Sequence, residues 1–376
     1  MKLGFVASGS PADARAWSGT PHFALRELRR RGHDVTVIDT ARLDRAIVAL
    51  ARTPGIGFAP SREPLTARLM AAIIAPKMRA LAPEAIVSIN ADYKLLPFLD
   101  RTPCAYFSDA AVGPLFQYYD RYAALSARSR RLADDQERKV IASRCEIVLA
   151  SHWAARTAAE HYGVPPARFY VAPLGPNLDP EPGPTAPPPA DGPLRLLFVG
   201  YDWRRKGGAL VLAAFKILRA TLKDAELHIV GARPEAARGQ DGVRLYGKLS
   251  KIDAENARTL NELYRTSSFF FMPSRQEAFG VVLSEACANG LPPVAADTGG
   301  LGTIIEDGVN GLLLPLSAGP EDFAAAIGRL WADRDAYVRM RAAARAAYEA
   351  RLNWRAWGEV MEAALARATG AGGRIG

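Results

Sequence analysis

Near the middle of this 376-residue chain stands GPNLDPEPGPTAPPPADGP, residues 175–193, in which eleven of nineteen positions are Pro or Gly. Proline lacks an N–H donor and fixes φ, so the stretch can be neither helix nor central strand, and it reads as a linker. The same pattern runs on both sides of it. The first half carries strand-like runs KLGFVAS, HDVTVID, EAIVSIN, PCAYFSD, CEIVLAS and RFYVAP, the earlier ones separated by helical segments such as TPHFALRELRRRG. The second half restarts with LRLLFVG, the helical GGALVLAAFKILRATL, then AELHIVG, VRLYGKL, SFFFMP and PPVAAD. Strands alternating with helices predict parallel βαβ units, so the expected class is α/β with two doubly wound, Rossmann-like parallel-sheet domains in tandem. The length is also too great for one ordinary core. The expected division is an N-terminal domain over 1–175, a linker over 176–193 and a C-terminal domain over 194–352. The last helical pattern, within 353–370, is expected to pack back across the first domain.

Composition narrows the function classes. The chain is 49% apolar and 23% charged, as soluble globular proteins are. The first apolar run, LGFV, is too short for a signal peptide, and no window approaches the ~18 apolar residues of a membrane span. Cys104, Cys145 and Cys287 are scattered without paired spacing, which argues against a disulfide framework or zinc site and for a reducing cytoplasm. Residues 1–175 carry 24 Lys and Arg against 16 Asp and Glu, whereas the remainder carries 24 against 23. Nearly all of the net charge of +9 therefore sits in the first half. This asymmetry suggests an anionic partner for that half: an acidic lipid surface, a phosphorylated acceptor or nucleic acid. The alternative is a solvated arginine-rich face. Aromatic residues are not interleaved with the basic runs, which disfavours nucleic acid.

The stretch SRQEAFGVVLSEACANGLPP, residues 274–293, places Glu277 and Glu285 in an otherwise apolar segment after the strand-like SFFFMP. Buried carboxylates need partners. Ligands of open α/β sheets bind beyond the carboxyl ends of the strands, which is where Glu277 falls. The amides of Phe279, Gly280, Val281 and Val282 open the following helix, and an uncapped helix start is an anion site. Gly280 would let a ligand approach the backbone. Glu285 lies about a turn and a half into that helix, where it could accept from sugar hydroxyls. The competing reading has Glu277 capping the helix and Glu285 paired with an arginine.

A second strand end, VGYDWRRKGG, supplies Arg204, Arg205 and Lys206, which could neutralise a diphosphate or simply form a basic turn. The glycines of DTGGLG, before an expected short helix, form another candidate backbone cradle. In the first half, WSGTP puts Gly19 between strand and helix, and YFSDA puts Asp109 at a strand end, where an aspartate is as often an N-cap as a catalyst. The single D-x-D, Asp333–Asp335, lies in a charged helical segment and is rejected as a metal site; no phosphate-loop, zinc-protease or nucleophile-elbow motif occurs.

These residues resemble the retaining GT-B glycosyltransferases, in particular glycosyltransferase family 4 with its E-x7-E signature, here EAFGVVLSEA. RELRRRGHDVTVI, ASHWAARTAAEHYGVPPARFYVAPLGPNLD, VGYDWRRKGG, GGLGTIIEDGVNGLLL and the tryptophan-bearing terminal helix are similar to family segments in the same order. The resemblance implies a GT-B fold with two Rossmann-like domains facing a central cleft. It also implies a nucleotide diphosphate sugar, UDP- or GDP-linked, as co-substrate, with no cofactor and no metal. Carried over, Glu277 contacts the transferred sugar and the amides after it contact sugar and phosphate. Glu285 binds ribose hydroxyls, Lys206 binds the diphosphate, and Gly19 belongs to the N-terminal glycine loop. Two positions depart from the family pattern. Tyr201 stands where the diphosphate arginine is usual, leaving Arg204 or Arg205 to substitute, and Ser108 stands where a histidine is usual, leaving Asp109 nearest the reacting sugar.

The expected activity is hexosyl transfer to a glycan, lipid-linked or small-molecule acceptor held by the basic first domain, in the cytoplasm or on the inner membrane face, as in polysaccharide biosynthesis. The alternatives are a non-catalytic GT-B-like protein binding an anionic surface and a GT-B relative with phosphorylase or epimerase chemistry.

Overall fold

A computed structural model of the chain describes residues 1–13, 16–51, 59–183 and 192–370. Residues 184–191 of the expected linker lie outside the described residues. The backbone separates into two compact units, 1–173 with 354–376, and 174–353.

In chain order the first unit holds β1 (Lys2–Ala7), α1 (Thr20–Arg30), β2 (Asp34–Val37), α2 (Ala41–Ala51), α3 (Pro64–Leu81), β3 (Ala85–Ile89), α4 (Asp92–Leu95), β4 (Cys104–Ser108), α5 (Val112–Tyr118), α6 (Ala127–Ala142), β5 (Glu146–Leu149), α7 (His152–Tyr162) and β6 (Phe169–Val171). Its sheet has the order β2-β1-β3-β4-β5-β6, with every described pairing parallel. β3, β4 and β5 are buried at every position. Strands covered on both faces carry continuous apolar runs instead of alternation, and these do.

The second unit holds β7 (Arg195–Gly200), α8 (Gly208–Thr221), β8 (Glu226–Gly231), β9 (Val243–Gly247), α9 (Ala254–Thr266), β10 (Phe269–Phe271), α10 (Val281–Ala288), β11 (Pro293–Ala296), β12 (Leu312–Leu314), α11 (Pro320–Ala332) and α12 (Arg334–Ala350). Its sheet, also parallel, runs β12-β11-β10-β7-β8-β9. The edge strand β12 is an addition to the strands expected from the sequence. The glycines of DTGGLG do not precede a short helix but lie inside a 3-10 helix, Gly299–Thr303.

The last helix, α13 (Trp354–Ala368), belongs to the first unit. Its buried stripe of Trp354, Trp357, Met361, Ala364 and Leu365 has helical spacing. Trp354 stacks on Phe23 of α1 with ring centroids 6.0 Å apart, and Trp357 meets Phe107 of β4 edge-on at 5.5 Å. Gly358 sits where α13 crosses α1: a Cβ there would lie 2.7 Å from Cδ of Arg31 and 2.9 Å from Oε1 of Glu27. Glu362 then pairs with Arg31 and, at 3.1 Å, with His33.

Candidate active site

In the second sheet the chain lays down β7, β8 and β9 toward one edge, then returns to place β10, β11 and β12 on the other side of β7. The reversal falls between β7 and β10. Loops leaving the carboxyl ends of such a strand pair diverge and leave a crevice, the usual ligand position of an open α/β sheet. The loop after β7 carries Arg204, Arg205 and Lys206; the loop after β10 carries Glu277.

Both loops are held by contacts that the sequence makes specific. Gly207 has φ 74°, and a Cβ on it would overlap the carbonyl of Pro273; Gly208 leaves no room for a Cβ beneath the indole of Trp203. Trp203 in turn meets Phe198 of β7 edge-on at 5.3 Å. The backbone N–H of Arg275 donates to the carbonyl of Arg205 at 2.8 Å, which ties the two loops together. From the far side, the Gly300 amide donates to the Glu277 carbonyl at 3.1 Å.

Glu277 is the centre of the resulting cluster. Its carboxylate accepts from the Lys206 ammonium, from the Arg205 guanidinium at 3.2 Å and from the Ser274 hydroxyl at 3.4 Å. Arg205 also donates to the Gln276 carbonyl at 2.8 Å. Burial pushes the Glu277 carboxyl up, but Lys206 and then Arg205 outweigh it, so its pKa lies below the ordinary value. Glu277 and Lys206 are buried. Arg204 is exposed and stands outside the cluster, so of the three cations the structure brings Arg205 and Lys206 to the carboxylate. Glu277 does not cap α10. The N-cap is Gly280, in the left-handed region at φ 89°, and the first backbone bond of the helix runs from the Leu283 N–H to the Gly280 carbonyl. The amides of Phe279, Gly280, Val281 and Val282 thus lead into the helix directly after Glu277.

Glu285, fully buried on α10, makes a separate pair. One oxygen accepts from the Lys251 ammonium and the other from the Tyr264 hydroxyl at 2.9 Å. Burial, followed by the Glu285 charge, holds the Tyr264 hydroxyl well above its ordinary pKa. The partner is therefore a lysine and a tyrosine, not an arginine. Neither was singled out from the sequence. The signal available was a lysine, in GKLSKID, just past the carboxyl end of β9.

In the first unit the switch point lies between β1 and β3. Gly19 ends the β1–α1 connection with φ 94°, after Trp17 and Ser18 at φ 44° and 58°. Two non-glycine residues held left-handed in succession are strained, and such strain collects where the backbone is shaped for a ligand. Asp109 follows β4 and accepts from the Ala110 N–H at 3.0 Å. It is not the N-cap of α5, which is Ala111. The sequence also gave no sign of Lys94, buried against the Ala7 carbonyl at 2.6 Å, the Thr40 hydroxyl at 2.8 Å and Asp44 at 2.9 Å. A concavity of about 890 Å³ in the second unit, beside Tyr246, Asn261 and Asn289, shares no residue with the Glu277 cluster. Among the described residues no cluster of His, Cys, Asp and Glu could hold a metal, and no helix is long and apolar enough to cross a membrane.

Residues 185–347 match the family described as glycosyl transferases group 1. D-inositol 3-phosphate glycosyltransferase of Geodermatophilus obscurus is 34% identical over 226 residues, 55% of this chain and 49% of that protein. The enzyme of the same description from Xylanimonas cellulosilytica is 32% identical over 254 residues, 62% of this chain and 59% of that protein. The chain thus spans about half of the length of the curated relatives it matches. Among solved structures, the sucrose-phosphate synthase of Thermosynechococcus elongatus superposes with a TM-score of 0.69 at 19% identity, over 99% of this chain and 100% of that one. HepE of Anabaena, solved with UDP and glucose, superposes with a TM-score of 0.64 at 17% identity, over 97% and 99%.

Proposed function

From the match of residues 185–347 to the glycosyl transferases group 1 family and the GT-B fold of the chain, we propose that the protein is a retaining, metal-independent hexosyltransferase using a nucleotide diphosphate sugar. The observation that carries this reading is the Lys206–Glu277–Arg205 cluster at the β7/β10 switch point. The glycosyltransferase activity named for the relatives and the UDP in the HepE structure support a sugar donor of this class.

The chemistry follows from where charge develops. As the bond between sugar C1 and the diphosphate oxygen breaks, negative charge grows on the leaving nucleoside diphosphate. Preorganised cations and amides stabilise it best in a dry site. Lys206 and Arg205 supply the cations, and the amides from Phe279 to Val282 supply dipoles. Glu277 takes hydroxyls of the transferred sugar, and Glu285, whose two oxygens are engaged by Lys251 and Tyr264, takes those of the ribose in exchange for one of these partners. The acceptor oxygen bonds to C1 on the face the diphosphate leaves, and its proton passes to the departing phosphate oxygen; configuration is retained. In the first unit, Gly19 and Asp109 remain the proposed site residues. The excess positive charge of the first half suits a phosphorylated or lipid-linked acceptor at the inner membrane face.

A donor screen tests this. Melting temperature and donor hydrolysis are measured with UDP-, GDP- and ADP-linked hexoses, for the parent and for Glu277→Gln. One donor class is expected to raise the melting temperature, and the variant to keep its fold while losing transfer. A flat response to all three overturns the reading. Sugar release that needs inorganic phosphate in place of an acceptor identifies a phosphorylase instead.

A further inference from the structure

Helix α3 is apolar on both sides. Met70, Ile74 and Met78 face inward, Met78 lying against Gly4 of β1. On the opposite side Leu65, Leu69 and Ile73, four residues apart, are 66%, 46% and 37% exposed. Ala72, Pro76 and Ala80 continue that stripe and are exposed too. A helix that is hydrophobic all round is ordinarily covered all round. The concentration is local: five of the twelve large apolar side chains recorded as exposed in the described chain, these three with Val48 and Leu50 of α2, fall within residues 48–73. Cations rim the stripe. At helical spacing Arg68 and Arg79 flank it on one side and Lys77 on the other, and Arg42 and Arg45 stand on α2; all five are exposed. No acidic side chain is exposed among the described residues of 41–82. Asp44 is buried against Lys94, and Glu63 is engaged by Arg128 at 2.6 Å.

We propose that the outward face of α3, with the exposed end of α2, docks on an anionic lipid bilayer surface. An apolar stripe rimmed by Lys and Arg is the pattern that seats a helix in the plane of the headgroups, with its cations meeting lipid phosphates. A second copy of the chain fits less well. A two-fold interface sets the same patch against itself, and here it would bring two cationic rims together. Nucleic acid is disfavoured because none of the exposed apolar side chains in the patch is aromatic. The inference extends the membrane-side placement of the acceptor but is independent of glycosyl transfer.

The test is co-sedimentation of the whole protein with vesicles of equal parts phosphatidylglycerol and phosphatidylcholine, against vesicles of phosphatidylcholine alone. Parent protein is expected on the anionic vesicles only. Leu65→Gln/Leu69→Gln/Ile73→Gln is expected to lower partitioning by more than about tenfold. Arg68→Gln/Arg79→Gln is expected to lower it by roughly fivefold per arginine and to weaken its salt dependence. All five changed side chains are exposed, so both variants should melt with the parent. The proposal is overturned if the parent stays in the supernatant, if it sediments equally with both vesicles, or if the triple variant sediments as the parent does. It is equally overturned if light scattering shows a dimer that the triple variant converts to monomer. A flat donor screen with intact vesicle binding removes the transferase reading and leaves this one standing; the converse result does the reverse.

Discussion

Lys206→Met separates the structural from the functional work of the Glu277 cluster. In the folded protein the Lys206 ammonium contacts the Glu277 carboxylate, and the side chains of both residues are only 11% exposed. Removing one partner of a buried pair costs about 3–5 kcal/mol when the other charge is left alone. Glu277 is not left alone here, because Arg205 remains at 3.2 Å and the Ser274 hydroxyl at 3.4 Å. The expected loss is therefore about 2–3 kcal/mol, a fall of roughly 5–10 °C in the melting of the second unit. The acid limb changes as well. A carboxyl whose folded pKa lies below its ordinary value of 4.5 contributes stability above that value and loses it as pH falls through the folded pKa. Without Lys206 that acid-side loss becomes smaller.

Donor binding answers the functional half. A charge-assisted bond to phosphate contributes about 1.5–3 kcal/mol, so calorimetric affinity for the nucleoside diphosphate should fall by roughly 10- to 150-fold. The double variant Lys206→Met/Glu277→Gln should recover stability relative to the sum of the single losses, by about 1–3 kcal/mol, since no buried carboxylate is then left short of a cation and Arg205 keeps Asp202 at 3.4 Å. It should recover no donor affinity. If Lys206→Met destabilises the protein but binds the diphosphate within threefold of the parent, Lys206 is only a structural partner of Glu277, and the reasoning fails.

Three further outcomes are expected. Gly207→Ala forces a side chain into the left-handed region and into the Pro273 carbonyl, so it should cost at least about 2 kcal/mol and lower expression of folded protein, read by urea melts. Lys251→Met leaves Glu285 with the Tyr264 hydroxyl alone, and should cost about 2–3 kcal/mol while Tyr264→Phe costs about 1–2, again by urea melts. Burial, then the Asp92 charge, push the Glu137 carboxyl up to about 8 against the opposing pull of Arg62 and of the Val112 and Tyr162 donors. A raised folded value gives stability that is full below pH 4.5 and lost as pH rises through about 8. Urea melts from pH 5 to 9 should therefore show a base-side decline in the parent that Glu137→Gln lacks; identical profiles would falsify the assignment.

The sheets were legible because most of their strands are buried on both faces and therefore spell continuous apolar runs, such as EAIVSIN and CAYFS. β12 was not, because its run of three half-exposed leucines is short and follows a turn. The tryptophan-bearing end of the chain was legible as a helix by its spacing. The site was legible one residue at a time. Strand ends followed by Lys206 and Glu277 could be recognised, but their meeting depends on β10 pairing with β7 across 71 residues of chain. Pairing order is set by the whole sheet and leaves no mark in either loop. Lys251 was harder still, since a lysine in a turn has no periodicity to betray its direction, and its carboxylate partner lies 34 residues on.

The charges of the cluster also bear on what Glu277 does when a ligand arrives. Lys206 and Arg205 would repel each other at this distance from a shared point, and the carboxylate between them offsets that repulsion, with Asp202 and the Gln276 carbonyl also holding Arg205. A diphosphate is a stronger anion than one carboxylate and competes for the same two groups. Once it binds, Glu277 faces phosphate oxygens of its own sign and stays ionised only if it gains donors that are not cations. Sugar hydroxyls are such donors. Charge balance within the proposed site therefore supports the proposal that Glu277 meets the transferred sugar, whose hydroxyls would then be part of what keeps the cations free for the leaving group. A donor lacking the hydroxyl that Glu277 accepts from should therefore bind less tightly to the parent but equally to Glu277→Gln, and equal losses in both proteins would show that the carboxylate stays on its cations throughout.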